Sequence, residues 1–174
     1  ASLVGSEMCI RDRILHLQPV DFEKMSLPLG AWILFRLLAS FCGVFGFSVM
    51  FNSPVRLAAV AAGIGAVANT FRLELVDLTA CPPAAAAFMG ALAAGLLASL
   101  IKSRVGYPRI SVTVPSIVIM VPGLYLYRGF YNLGMMSLSA SASWFASAIL
   151  IVAALPLGLI FARILTDKTF RYCT

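Results

Sequence analysis

Long apolar runs, each broken by a short polar or proline-containing interval, dominate the chain from residue 29 onward. They fall at 29–51, 55–76, 83–101, 110–133 and 144–165. Each is near the roughly 20 residues that a helix needs to cross about 30 Å of hydrocarbon. The intervals carry turn chemistry: Asn52-Ser53-Pro54, Cys81-Pro82-Pro83, a basic stretch from Lys102 to Arg109, and an uncharged, Ser- and Gly-containing stretch from Asn132 to Ser143. The pattern predicts an all-α polytopic membrane protein of about five transmembrane helices. The fourth is expected to be broken near its middle, because Pro122 has no amide hydrogen and Gly123 loosens the residue after it.

Helical spacing then sorts the spans into faces. In the first, Arg36, Ala39, Gly43 and Gly46 recur at steps of three and four, while Leu34, Leu38, Phe41 and Phe45 line another side. In the second, Ala58, Ala62, Gly65, Asn69 and Arg72 form a small-and-polar stripe, with Val60, Ile64, Val67 and Phe71 elsewhere. Small residues let helix backbones approach, and bulky ones suit lipid. The third span, with Ala87, Gly90, Ala91, Ala94, Gly95 and Ala98, is expected to meet neighbours over much of its surface.

Composition agrees with a lipid solvent. Hydrophobic residues make up 61% of the chain, charged residues 11%, and the mean hydropathy is +0.96, whereas a soluble domain carries about a quarter charged residues. The net charge of +6 does not point to nucleic acid, since the basic residues are scattered between apolar runs. Their placement sets topology instead. Arg56, Lys102, Arg104, Arg109, Arg163, Lys168 and Arg171 fall on one side. Lys24 and Arg72, with Asp21, Glu23, Glu74 and Asp77, fall on the other. The positive side is the cytoplasmic one, which gives an outer N-terminus and an inner C-terminus. Trp32 and Trp144 then lie at the outer interface.

Residues 1–13 resemble a translated sequencing-adapter read, so the natural chain is expected to extend further at its N-terminus. Residues 14–28 read as an extramembrane lead-in and 29–174 as the five-span domain. Cys9, Cys42, Cys81 and Cys173 are isolated, and His16 is the lone histidine, so neither a metal site nor a cofactor is expected.

Candidate chemistry concentrates in the outer half. Arg36 lies seven residues into its span, and Arg72 and Arg128 sit at similar depth. Guanidinium groups stay charged and are costly in hydrocarbon, so three in one layer need anions among them. Glu74 and Asp77 can serve, or a carboxylate-bearing solute can; the plainer alternative is snorkelling with structural ion pairs. At Pro122-Gly123 the broken backbone must be shielded by protein or by a water-filled cavity. The half-helix that follows presents amides and a positive dipole end to an anion. Tyr125, Arg128 and Asn132 continue a polar face above the break, whereas Pro156 reads as a packing kink. The expected solute-binding set is Arg36, Asn69, Arg72, Pro122, Gly123, Tyr125, Tyr127 and Arg128. The chain has no HExxH, no GxSxG elbow and no mid-span aspartate pair, so no enzymatic activity is expected.

Three segments carry a resemblance: Phe47 through Asn52-Ser53-Pro54-Val55-Arg56, the Gly63/Gly65 stretch, and Val121-Pro122-Gly123-Leu124-Tyr125-Leu126-Tyr127-Arg128. In order and spacing they resemble the second, C-terminal domain of the threonine/serine exporter family, from about Leu29 to the chain end. The resemblance implies a bacterial inner-membrane exporter of two five-helix halves, fused or separately encoded, that moves threonine and serine; a related two-subunit pair moves succinate. It also implies coupling to the proton-motive force, although no Asp or Glu lies in mid-span here. The partners expected are a second five-helix half, a small carboxylate solute, lipid and higher oligomers, with no nucleic acid. A dicarboxylate exporter subunit and a non-transporting membrane scaffold are the alternatives.

Overall fold

In the computed structural model the described residues are 28–167, apart from Ala80, Tyr107 and the side chains of 102–105. The adapter-like segment, nearly all of the lead-in with His16 and Lys24, and the tail residues Lys168 and Arg171 lie outside them. Every described element is a helix: α1 Leu29–Met50, α2 Val55–Thr79, α3 Pro83–Val105, α4 Arg109–Val118, α5 Gly123–Gly134 and α6 Leu138–Thr166. Four are long and apolar enough to cross a membrane, and α4 with α5, bent by 41° at their junction, give a fifth candidate if the bent pair is one broken span.

The turns explain why the runs end where they do. After α1, Asn52 takes a left-handed φ of 58°, Asn52 N–H donates to Val49 O at 2.9 Å, and Ser53 N–H donates to Ser48 O at 3.1 Å. This is a Schellman ending with asparagine at the position that favours glycine, and Pro54 then stops any continuation. The α5–α6 turn repeats it: Met136 has φ 58°, its N–H donates to Leu133 O at 3.1 Å, and Ser137 N–H donates to Asn132 O at 3.0 Å. Pro83 opens α3, where a missing amide hydrogen costs nothing.

Packing follows residue size. On α3 the residues Ala87, Gly90, Ala91, Ala94, Gly95 and Ala98 are all buried, as their spacing predicts. A methyl group on Gly158 of α6 would lie 2.5 Å from Phe88 O, so α3 and α6 touch nearly backbone to backbone. On α2 the expected stripe of Ala58, Ala62, Gly65 and Asn69 is buried. Ile64, expected on the lipid side, is buried too, because α2 is covered by α1, α3 and α4 rather than along one line. Large apolar side chains such as Phe35, Leu38, Ile149 and Leu150 stay exposed, as lipid-facing positions do.

Two expectations are corrected. The buried row of α1 is Ser40, Val44 and Ser48, whereas Ala39 and Gly46 are exposed. A strict four-residue step tracks the contact with α2, and the three-residue steps drift off it. The last span begins at Leu138 rather than at residue 144. Serine hydroxyls are accommodated in this polar helical segment by bonding back one turn, Ser143 Oγ to Ser139 O at 3.0 Å and Ser147 Oγ to Ser143 O at 2.9 Å.

Candidate functional site

The break sits between Val118 and Gly123, and its backbone accounts for most of its own donors. Met120 N–H donates to Ile117 O at 2.9 Å and Val121 N–H to Val118 O at 3.1 Å. Gly123 N–H donates to Val121 O at 2.8 Å across Pro122, whose φ of −79° and ψ of 53° form an inverse γ-turn. Leu126 N–H donates to Pro122 O at 3.1 Å. The amides of Leu124 and Tyr125, at the start of α5, have no backbone partner among the described residues.

Arg72 reaches the break from α2, where its Nη1 donates to Met120 O at 3.1 Å. A carbonyl orphaned by the lost helical turn is thereby satisfied by a charged donor, which is how irregular backbone survives at depth. The Arg72 Nε is buried without a partner, and no carboxylate among the described residues lies within ion-pair distance of this guanidinium.

Arg36 is in the opposite condition. Its Nη1 donates to Glu74 Oε1 at 2.8 Å and its Nη2 to Asp77 Oδ2, while its guanidinium carbon lies 4.9 Å from the centre of the Trp32 ring. Glu74, one of the two acids able to serve the arginine layer, turns inward to this pair, with a side chain only 16% exposed. Asp77 remains 42% exposed.

These groups border a cavity of about 350 Å³. Arg36, Arg72 and Asp77 provide its charge, Pro122, Leu124 and Tyr125 the edge of the break, and Ile119, Val121 and Ile151 apolar wall. Of the residues expected to bind a solute, Arg36, Arg72, Pro122 and Tyr125 therefore meet around one space. Asn69 lies outside the lining and is buried, its Nδ2 donating to Ser40 Oγ at 2.8 Å. Gly123 is not on the lining, and Tyr127 is exposed and stacked against Tyr131. Arg128 is held elsewhere, 4.9 Å from the centre of the Trp144 ring. The expected layer of three arginines is thus divided between one ion-paired, one in the cavity and one on an aromatic ring.

Asp77 is the lining residue that periodicity undervalued. Its place in the last turn of α2 suggests an interfacial charge, and only the cavity's shape brings it opposite the break. A second cavity of about 570 Å³ lies at the other end, between α4 and α6. Both of its arginines are already committed: Arg109 donates to Gly95 O at 2.8 Å and Thr166 Oγ1 at 2.9 Å, and Arg163 Nε lies 3.8 Å from Asp167 Oδ2. Among the described residues no cluster of three His, Cys, Asp or Glu is placed to hold a metal ion.

Comparison with known proteins gives one family. The sequence model described as "Threonine/Serine exporter, ThrE" matches residues 36–165, a span that includes the cavity and the break. No curated protein and no solved structure matches the chain.

Proposed function

Because the chain belongs to the threonine/serine exporter family, we propose that it is one half of an exporter and that its solute, threonine or serine, sits in the cavity beside Arg72. The observation that carries this reading is the separation of charge along the cavity wall. Arg72 is a cation with no carboxylate partner among the described residues, and Asp77 is an anion that remains open to the cavity although Arg36 holds one oxygen.

Five residues of α2 separate the two, about 7.5 Å of helical rise. A small α-amino acid spans such a gap, its carboxylate toward Arg72 and the free amides of Leu124 and Tyr125, its ammonium toward Asp77. Guanidinium and helix-start amides both favour a carboxylate. A dicarboxylate fits less well, because its second acid would face Asp77. The lining of Ile119, Val121, Leu124 and Ile151 suits a short side chain.

The rest of the proposal concerns the assembly. A second five-helix half completes the transporter, which rocks one half against the other around the site. The chain lies in the bacterial inner membrane with its N-terminus outside, and it performs no covalent chemistry. Efflux of radiolabelled threonine, serine and succinate from bacteria that express the chain with a partner half tests the function. Threonine and serine efflux is expected, with a loss of tenfold or more in Arg72→Gln at normal expression. Succinate efflux alone would transfer the site to dicarboxylates, and efflux of none of the three would remove the exporter reading.

A further inference from the structure

The antiparallel register of α1 and α2 can be followed inward from the cavity, one helical turn at a time. Arg36 meets Glu74, then Ser40 accepts from Asn69. Next Val44 Cγ2 lies where a methyl group on Gly65 would be 2.8 Å from it. One turn further, Ser48 is fully buried, at the level where Ser116 Oγ lies 2.9 Å from Ala61 O. From Arg36 to Ser48 this row covers about 18 Å of helix, more than half of a hydrocarbon core of about 30 Å.

Polar atoms without partners gather on this row. Among the described residues, Ser48 Oγ, Asn69 Oδ1, Thr70 Oγ1 and Arg72 Nε are buried and lack a hydrogen-bond partner within the protein. Ser48 and Asn69 belong to the α1–α2 seam. Other helical serines settle their hydroxyls by bonding back one turn, as Ser143 and Ser147 do, but Ser48 does not. An orphaned hydroxyl is costly where no water reaches it, and a packing seam has no use for one. The side chains facing the seam from α2 are small, namely Ala58, Ala61, Ala62 and Gly65. The atoms nearest to a Cβ on Gly65 would be Val44 Cγ2 and the Ser116 carbonyl oxygen, both at 2.8 Å.

From this geometry we infer that the seam between α1 and α2, from Ser40 and Asn69 down to Ser48, is the inward half of the solute route, shown here in its closed state. The inference rests on the exporter reading of the cavity and adds the path that leads to it. Opening requires α1 to part from α2 at its inner end. The helix is suited to that motion, with 17% of its apolar window buried against 44% for α2. The Arg36 ion pairs tie the two helices at the outer end, so they act as the pivot.

The test places single cysteines at Ser40, Ser48 and the lipid-facing control Leu38 in a chain whose native cysteines are replaced by alanine. A charged, membrane-impermeant methanethiosulfonate is applied while threonine efflux is measured. Ser48→Cys and Ser40→Cys are expected to react at least tenfold faster than Leu38→Cys, and saturating threonine is expected to slow them. If Ser48→Cys stays unreactive while the same protein exports threonine, the route is refuted and the exporter reading survives. If the parent protein exports nothing, both fall. Ser48→Ala supplies an independent readout: efflux should drop at least fivefold while thermal stability holds or rises, since an orphaned hydroxyl has been removed. A parallel loss of stability and efflux would make Ser48 a packing residue and overturn the inference.

Discussion

Removing the Arg36 guanidinium breaks both ion pairs that tie α1 to the last turns of α2. Arg36 Nη1 and Glu74 Oε1 are 2.8 Å apart, with side chains 14% and 16% exposed. At that distance and an effective dielectric constant near 20, the Coulomb attraction is about 6 kcal/mol. Desolvation of both groups offsets most of it, and partial exposure screens more. We expect a coupling energy of about 2 kcal/mol between the two side chains, roughly a 30-fold effect on the unfolding equilibrium. Arg36→Gln alone should cost about 3 kcal/mol, since it leaves Glu74 and Asp77 facing each other unneutralised. Glu74→Gln should cost less, because Asp77 still neutralises Arg36. The cycle of Arg36→Gln, Glu74→Gln and the double variant can be measured by titrating detergent micelles with SDS and following helicity. Trp32 fluorescence offers a local probe, since its ring centre lies 4.9 Å from the Arg36 guanidinium carbon. A coupling below about 0.5 kcal/mol, the level of a surface pair, would mean that these charges are solvated by headgroups and do not pin α1 to α2.

Three other substitutions probe the backbone. Gly65→Ala places a methyl group 2.8 Å from both Ser116 O and Val44 Cγ2, so it should destabilise by about 1–3 kcal/mol in the same titration. Gly123→Ala meets nothing within 4 Å and should leave stability within about 0.5 kcal/mol, or raise it by restricting the unfolded chain; a larger loss would show that the break needs glycine itself. Met136→Gly relieves the left-handed φ of 58° at the end of α5 and should raise the melting temperature, reflecting about 1 kcal/mol gained.

The spans were legible because the bilayer imposes a length, and apolar runs of that length stand out in any reading of this chain. The break was legible for a related reason, since a Pro-Gly pair in mid-span has few harmless interpretations. Faces were harder. On α3 the small residues at steps of three and four, from Ala87 to Ala98, are buried, so spacing sufficed. On α1, which touches few neighbours, the choice between Ala39-Gly43-Gly46 and Ser40-Val44-Ser48 depended on a crossing angle that one helix cannot encode. The start of α6 was obscured because alternating Ser and Ala suit a loop by polarity, while the one-turn bonds that satisfy serine hydroxyls inside a helix are invisible to hydropathy. The charged residues were least legible. Depth placed Arg36, Arg72 and Arg128 in one layer, yet depth says nothing about azimuth. The azimuth decides which of them meets an acid, which meets an aromatic ring and which meets the break.

That division bears on how one membrane protein can hold three guanidinium groups toward one end of its spans. Arg36 is neutralised by Glu74 and Asp77, and Arg128 lies over the face of Trp144, where ring and headgroup level share the work of holding a cation. Arg72 has neither acid nor ring. Its one hydrogen bond, to Met120 O, ties it to the irregular backbone rather than to a counter-ion. A carbonyl dipole offsets only part of a full charge, so the free energy of this side chain falls when an anion enters the cavity beside it. The same guanidinium also caps the broken helix, so an arriving carboxylate competes with Met120 O for its donors. If the proposed solute binds there, binding and the conformation of the break are coupled through one side chain, in the part of the chain where a moving helix segment would change access to the cavity.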